Sequence, residues 1–83
     1  MGNKFHTKDE KLVISLYESA LEAGDIHAHF SRYNIGKKIG MNPKGIDTIC
    51  VLLLQANFIK KGEGEHIFLT KNGEELAHRL LRE

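Results

Sequence analysis

The 83-residue chain has one cysteine, one proline and no tryptophan. Its lone cysteine, Cys50, excludes an internal disulfide, and the expected setting is a reducing cytoplasm. Long apolar runs are also missing. The longest purely aliphatic run, Val51 to Leu54, is far short of the roughly 20 residues that cross a bilayer, so no membrane association is expected. The opening stretch GNKFHTKDEK lacks the apolar segment of a secretory signal. No phosphate-binding glycine loop and no spaced set of catalytic residues occurs, and Gly62-Glu63-Gly64 is a turn signal only. Neither an enzyme nor a cofactor is expected. A chain of this length makes one small domain, 1–83, with a modest core that self-association would help.

The charge that is present is unevenly placed. The formal net charge is only +1. Residues 1–30 carry three Lys against five acidic residues, and residues 62–83 carry three basic residues against five acidic ones. Between them, residues 31–61 hold Arg32, Lys37, Lys38, Lys44, Lys60 and Lys61 against Asp47 alone. A basic excess confined to the middle of a chain suits a phosphate-bearing partner, although any solvated surface carries charge.

Helical spacing and capping residues divide the chain. Thr7 with Glu10 three residues later reads as a capping box, with Phe5 or His6 ahead of it. Leu12, Val13, Leu16, Tyr17, Ala20 and Leu21 then follow at helical spacing, and Ile14 widens the stripe. Gly24 ends this helix. Ile26, Ala28 and Phe30 alternate with His27 and His29, as in a short strand, or the segment is a loop anchored by Phe30. Ser31 caps a second helix, Arg32 to Ile39, lined by Tyr33, Ile35 and Ile39. Gly36 there permits close approach of a neighbouring helix. Gly40 to Pro43 is a turn in which Asn42 caps a third helix and Pro43 takes its first position. That helix runs to about Ala56 on a stripe of Ile46, Ile49, Cys50 and Leu53. Asn57 suits a left-handed C-terminal position. Phe58 to Lys61 and His66 to Thr70 read as two strands around a glycine-containing tip, with Ile67 and Leu69 on one face. Thr70 or Asn72 caps a last helix, about Gly73 to Arg82, with Leu76, Ala77, Leu80 and Leu81 at helical spacing.

The stretch from Asn34 to Gly73, helix–turn–helix followed by two strands, resembles the winged helix-turn-helix superfamily, particularly compact regulators of the multiple-antibiotic-resistance (MarR) and arsenic-repressor (ArsR) types. Ile35 to Asn42 looks like their second helix and turn. Ile46, Cys50, Leu53, Phe58 and Ile59 look like their core positions, and Leu69 to Gly73 like their strand-to-helix junction. The pattern covers roughly residues 8–82. It implies an α+β fold: a three-helix core, a small antiparallel wing sheet and a C-terminal helix. It further implies binding of double-stranded DNA, with the third helix in the major groove. Winged helices also bind proteins, so a protein-interaction module is the alternative.

On that resemblance, Lys44, Gly45 and Thr48 are the candidates for base-edge or groove contact. Arg32, Lys37, Lys38, Lys60 and Lys61 are the candidates for backbone contact. Asp47 repels phosphate but can accept from a cytosine amine. Its everyday role is a favourable charge near a helix N-terminus. Glu63 and Glu65 disfavour deep insertion of the wing tip. The chain departs from the family in the apolar outer side of its third helix. Val51, Leu52 and Leu54 exceed what one core stripe needs and call for a second covered surface, in the domain or between subunits. With Leu76, Leu80 and Leu81 they are the candidates for self-association, and a homodimer is expected. His27 and His29 would face one way in a strand, but zinc needs three or four ligands and no others lie nearby, so no metal is expected. Cys50 sits on the core stripe as a small apolar residue.

Overall fold

Thr7 opens the first helix, α1 (Lys8–Ala23), and Glu10 reaches back to accept from the Thr7 amide at 3.0 Å. The computed structural model describes residues 6–82, so Phe5 lies outside the described residues. Gly24, at φ 76°, ends α1. Then come β1 (Phe30–Ser31), α2 (Arg32–Lys38), α3 (Pro43–Gln55), β2 (Ile59–Lys61), β3 (His66–Leu69) and α4 (Lys71–Arg82). The three strands form one antiparallel sheet in the order β1-β3-β2. This is an α+β winged helix-turn-helix: α1, α2 and α3 form the helical core, β2 and β3 the wing, and α4 closes the domain against α1.

Most boundaries follow local chemistry. The Ser31 hydroxyl accepts from the Asn34 amide at 3.4 Å at the start of α2. The Asn42 side chain accepts from the Gly45 amide at 2.8 Å, and Pro43 takes a first-turn position whose N–H has no intrahelical partner. Asn57 follows α3 at φ 65°. Thr70, not Asn72, caps α4: its Oγ1 accepts from the Gly73 amide at 3.0 Å, so the helix starts two residues earlier than expected.

One alternative is decided and two boundaries are corrected. The alternating 26–30 segment contributes only Phe30 to the sheet, because the Asp25 carboxylate accepts from the His27 amide and the Asp25 carbonyl from the Ala28 amide. Those bonds turn the chain instead of extending it. Phe58 precedes the wing strand, which begins at Ile59, and Ile39 is the cap of α2 instead of its last residue.

One apolar cluster joins every helix to the sheet: Leu12, Val13 and Leu16 from α1, Ile35 from α2, Ile46, Cys50 and Leu53 from α3, Ile59, Ile67 and Leu69 from the strands, and Ala77 from α4. Each large member stabilises the fold by roughly 1.5–3 kcal/mol relative to exposure. Two glycines set the spacing. A Cβ on Gly36 would lie 2.4 Å from Ile46 Cγ1, so its absence lets α2 meet α3. A Cβ on Gly73 would lie 2.0 Å from the Phe58 carbonyl oxygen, so α4 can start against the end of the α3–β2 loop only without a side chain there.

Candidate nucleic-acid interface

The angle between α2 and α3 is held by the turn joining them. The Met41 amide donates to the Gly36 carbonyl at 2.9 Å, and Met41 packs against the core edge. Its methyl carbon also lies 3.1 Å from where a Gly45 Cβ would stand. Gly45 is therefore partly covered, and Met41 shares the close approach expected there for a groove.

The core stripe faces inward, leaving Lys44, Asp47, Thr48, Val51, Leu52 and Gln55 exposed along α3. Thr48 donates its hydroxyl hydrogen to the Lys44 carbonyl at 3.2 Å. What it offers outward is a methyl group and oxygen lone pairs.

At the head of this face stands an interaction that local pattern does not reveal. Arg32 Nε donates to Asp47 Oδ1 at 3.0 Å, and the Tyr33 hydroxyl donates to the same oxygen at 2.8 Å. Arg32 Nη2 also donates to the Tyr33 hydroxyl at 3.0 Å, and its guanidinium carbon lies 4.6 Å from the Tyr33 ring centroid. The Asp47 carboxyl is held below its ordinary range by the hydrogen bonds from Tyr33 first and Arg32 second. The bond to Asp47 raises the Tyr33 phenol, with some desolvation, and it is also the main cause raising Arg32. Arg32, expected as a phosphate clamp, thus has its charge largely committed to Asp47, and its side chain is only 19% exposed.

The other basic candidates also separate. Lys37 is exposed, and no hydrogen bond or ion pair holds it among the described residues. Lys38, beside it, donates Nζ to Ser19 Oγ at 2.9 Å and so leans onto α1. In the wing, Lys60 pairs with Phe68 and Lys61 with Ile67. Successive strand residues face opposite sides. Lys61 accordingly lines a cavity of about 210 Å³ with Arg32, Asp47, Cys50, Val51, Leu54 and Ile67, whereas Lys60 faces away from it. The wing tip is short: the Gly62 amide donates to the His66 carbonyl at 2.8 Å, and Ser31 hydrogen-bonds the Glu65 carboxylate across to β1. Glu65 is therefore spent on fixing the wing to the start of α2.

The apolar surplus divides. Val51 and Leu52 are 52% and 56% exposed, and Leu21 and Leu81 stand out on α1 and α4. Leu54 and Leu76 pack against the core, and Leu80 is 7% exposed, so its surface is used within the chain. Leu80 is in consequence removed from the surface available for self-association.

Nor do the histidines form a pair. His27 Nδ1 lies 2.9 Å from the Leu69 carbonyl oxygen, while His29 stacks on Phe68 with ring centroids 4.3 Å apart. No three metal-ligating side chains gather among the described residues. Cys50 is buried, and burial pushes its thiol up, which makes it a poor nucleophile.

A buried three-helix core, a short antiparallel wing and an outer face of α3 uncovered among the described residues make a generic winged-helix-like architecture. No family model and no curated protein matches the chain.

Proposed function

We propose that this chain binds double-stranded DNA, as a transcriptional regulator, by placing α3 in the major groove. Lys44 and Thr48 face the bases with Gly45 beside them, and Lys37 and Lys61 contact the backbone, with Lys38, Lys60 and Arg32 in lesser roles. One observation carries this: the outer face of α3 is left uncovered by the described residues and is flanked by the wing lysine Lys61. An α-helix fits the major groove, and lysines at its margins supply phosphate attraction. The likeness to MarR- and ArsR-type regulators supports the same function as a family expectation. A homodimer through exposed Leu21 on α1 and Leu81 on α4, which leaves Val51 and Leu52 on the DNA-facing side, would present two such helices to one duplex. The test is binding to random duplex DNA across a salt series. Affinity falling steeply with salt is expected, and absence of binding at low salt would overturn the proposal.

A second function is favoured by the apolar character of Val51 and Leu52. A partner protein of matching apolar surface would cover that side of α3, with no DNA contact at all. Binding at low salt separates the two.

A further inference from the structure

Asp47 is an unexpected residue to find on a face that approaches a polyanion. Bare, it would repel phosphate. Here the Arg32 guanidinium offsets its charge, at 3.0 Å, and Tyr33 fixes the same oxygen at 2.8 Å. Two bonds on Oδ1 orient the whole planar carboxylate, since its two oxygens cannot move independently. Oδ2 takes no hydrogen bond among the described residues, and the side chain is 52% exposed. The carboxyl is ionised at neutral pH, because both contacts hold it below its ordinary range. An ionised carboxylate only accepts. Its complement is therefore a donor, and the cytosine N4 amino group is the base-edge donor that pairs with a carboxylate in the major groove.

One helical turn further on stands Val51, four residues from Asp47 and on the same side of α3. It is 52% exposed, and beside it lie Leu54, Ile67 and Cys50 in the walls of the 210 Å³ cavity. No hydrogen-bonding atom of Val51 is available to a base edge. The apolar feature of a major-groove edge is the thymine C5-methyl group. Asp47 and Val51 are separated by about 6 Å of helix rise, a little under two base-pair steps of about 3.4 Å.

We infer that Asp47 and Val51 form a second specificity-determining pair beside Lys44 and Thr48, selecting duplex DNA with a cytosine opposite Asp47 and a thymine methyl against Val51 one or two base pairs away. Arg32 and Tyr33 are positioning residues: they hold the carboxylate without touching a base. This rests on the DNA-binding function proposed above and names the sequence class that it reads.

The experiment is selection of sites from random duplexes with the full chain, followed by competition among single-base variants at fixed salt. Wild-type sites should carry cytosine at one position and thymine within two base pairs of it. Replacing that cytosine should weaken binding about tenfold. Asp47→Asn should move the preference at that position from cytosine toward adenine, which asparagine reads, a change that loss of folding cannot produce. Replacing the thymine by uracil removes only the methyl group. It should weaken wild-type binding several-fold and leave Val51→Ala unaffected. Tyr33→Phe should blunt the cytosine preference while nonspecific binding stays. Duplex binding with no cytosine preference, or with one that Asp47→Asn retains, overturns this inference alone. Failure to bind any duplex at low salt overturns the DNA-binding function and this inference with it.

Discussion

Asp47 and Gly73 each owe their role to a neighbour distant in the chain. Because Asp47 ionises more readily in the folded chain than in an unfolded one, its interactions stabilise the fold above the unfolded carboxyl value. That contribution is lost as pH falls through the lower, native value. Stability measured by urea melts from about pH 5 downward should therefore fall more steeply in wild type than in Asp47→Asn, which carries no titrating group there. Equal acid slopes would show that the carboxylate is unpaired in solution. Gly73 is constrained by space instead of charge. A methyl group 2.0 Å from the Phe58 carbonyl oxygen cannot be absorbed by rotating a side chain, since its obstacle is backbone. Gly73→Ala should cost about 3 kcal/mol and lower the thermal midpoint by on the order of 10–20 °C. A midpoint unchanged within a few degrees would mean that α4 starts elsewhere.

Among the elements, α2 and α3 divide the work that one basic segment suggested. Lys37 is exposed, with no hydrogen bond or ion pair among the described residues, and Lys38 is bonded to Ser19 on α1. Lys37→Ala should reduce the slope of log affinity against log salt by about one, with Lys38→Ala having less effect. Equal slopes in wild type and both variants would take α2 out of the interface. On α3, Thr48 gives its hydroxyl hydrogen to the helix itself, so a base meets its methyl group or its lone pairs. Thr48→Ala should lower discrimination between a selected site and scrambled DNA by about 1 kcal/mol, leaving nonspecific binding nearly intact. Identical preferences across all single-base variants would mean that Thr48 reads nothing. The wing behaves as an element too. Lys60 and Lys61 are adjacent in sequence but lie on opposite faces of β2, so only Lys61 joins the α3 groove.

For the whole molecule, the question is what meets the apolar side chains left outside. Leu21, Val51, Leu52 and Leu81 are each about half exposed. A small domain gains from shared burial, and two-fold pairing is the commonest closed arrangement. Sedimentation at tens of micromolar should give about twice the 9.4 kDa chain mass. Leu81→Glu should shift that mass to the monomer if α4 lies in the contact. A monomer for the unaltered chain would leave Leu21 and Leu81 to a different protein.

The elements themselves were legible in the residues because their boundaries rest on contacts within a few positions. Glu10 returns to Thr7, Asn42 accepts from Gly45, Thr70 accepts from Gly73, and the apolar stripes repeat at helical spacing. The order of those elements, with a turn between two helices and a glycine-containing tip between two strands, was enough for the fold. What the tertiary structure alone decided is which polar groups meet. Arg32 and Asp47 are fifteen residues apart, Lys38 and Ser19 nineteen, and His27 and Leu69 forty-two. Each pair forms only after helix packing and strand register bring distant segments together, and no local periodicity encodes such a meeting. The same packing chose among chemically similar residues: it buried Leu80 and left Leu81 outside, and it turned Lys61 toward α3 and Lys60 away.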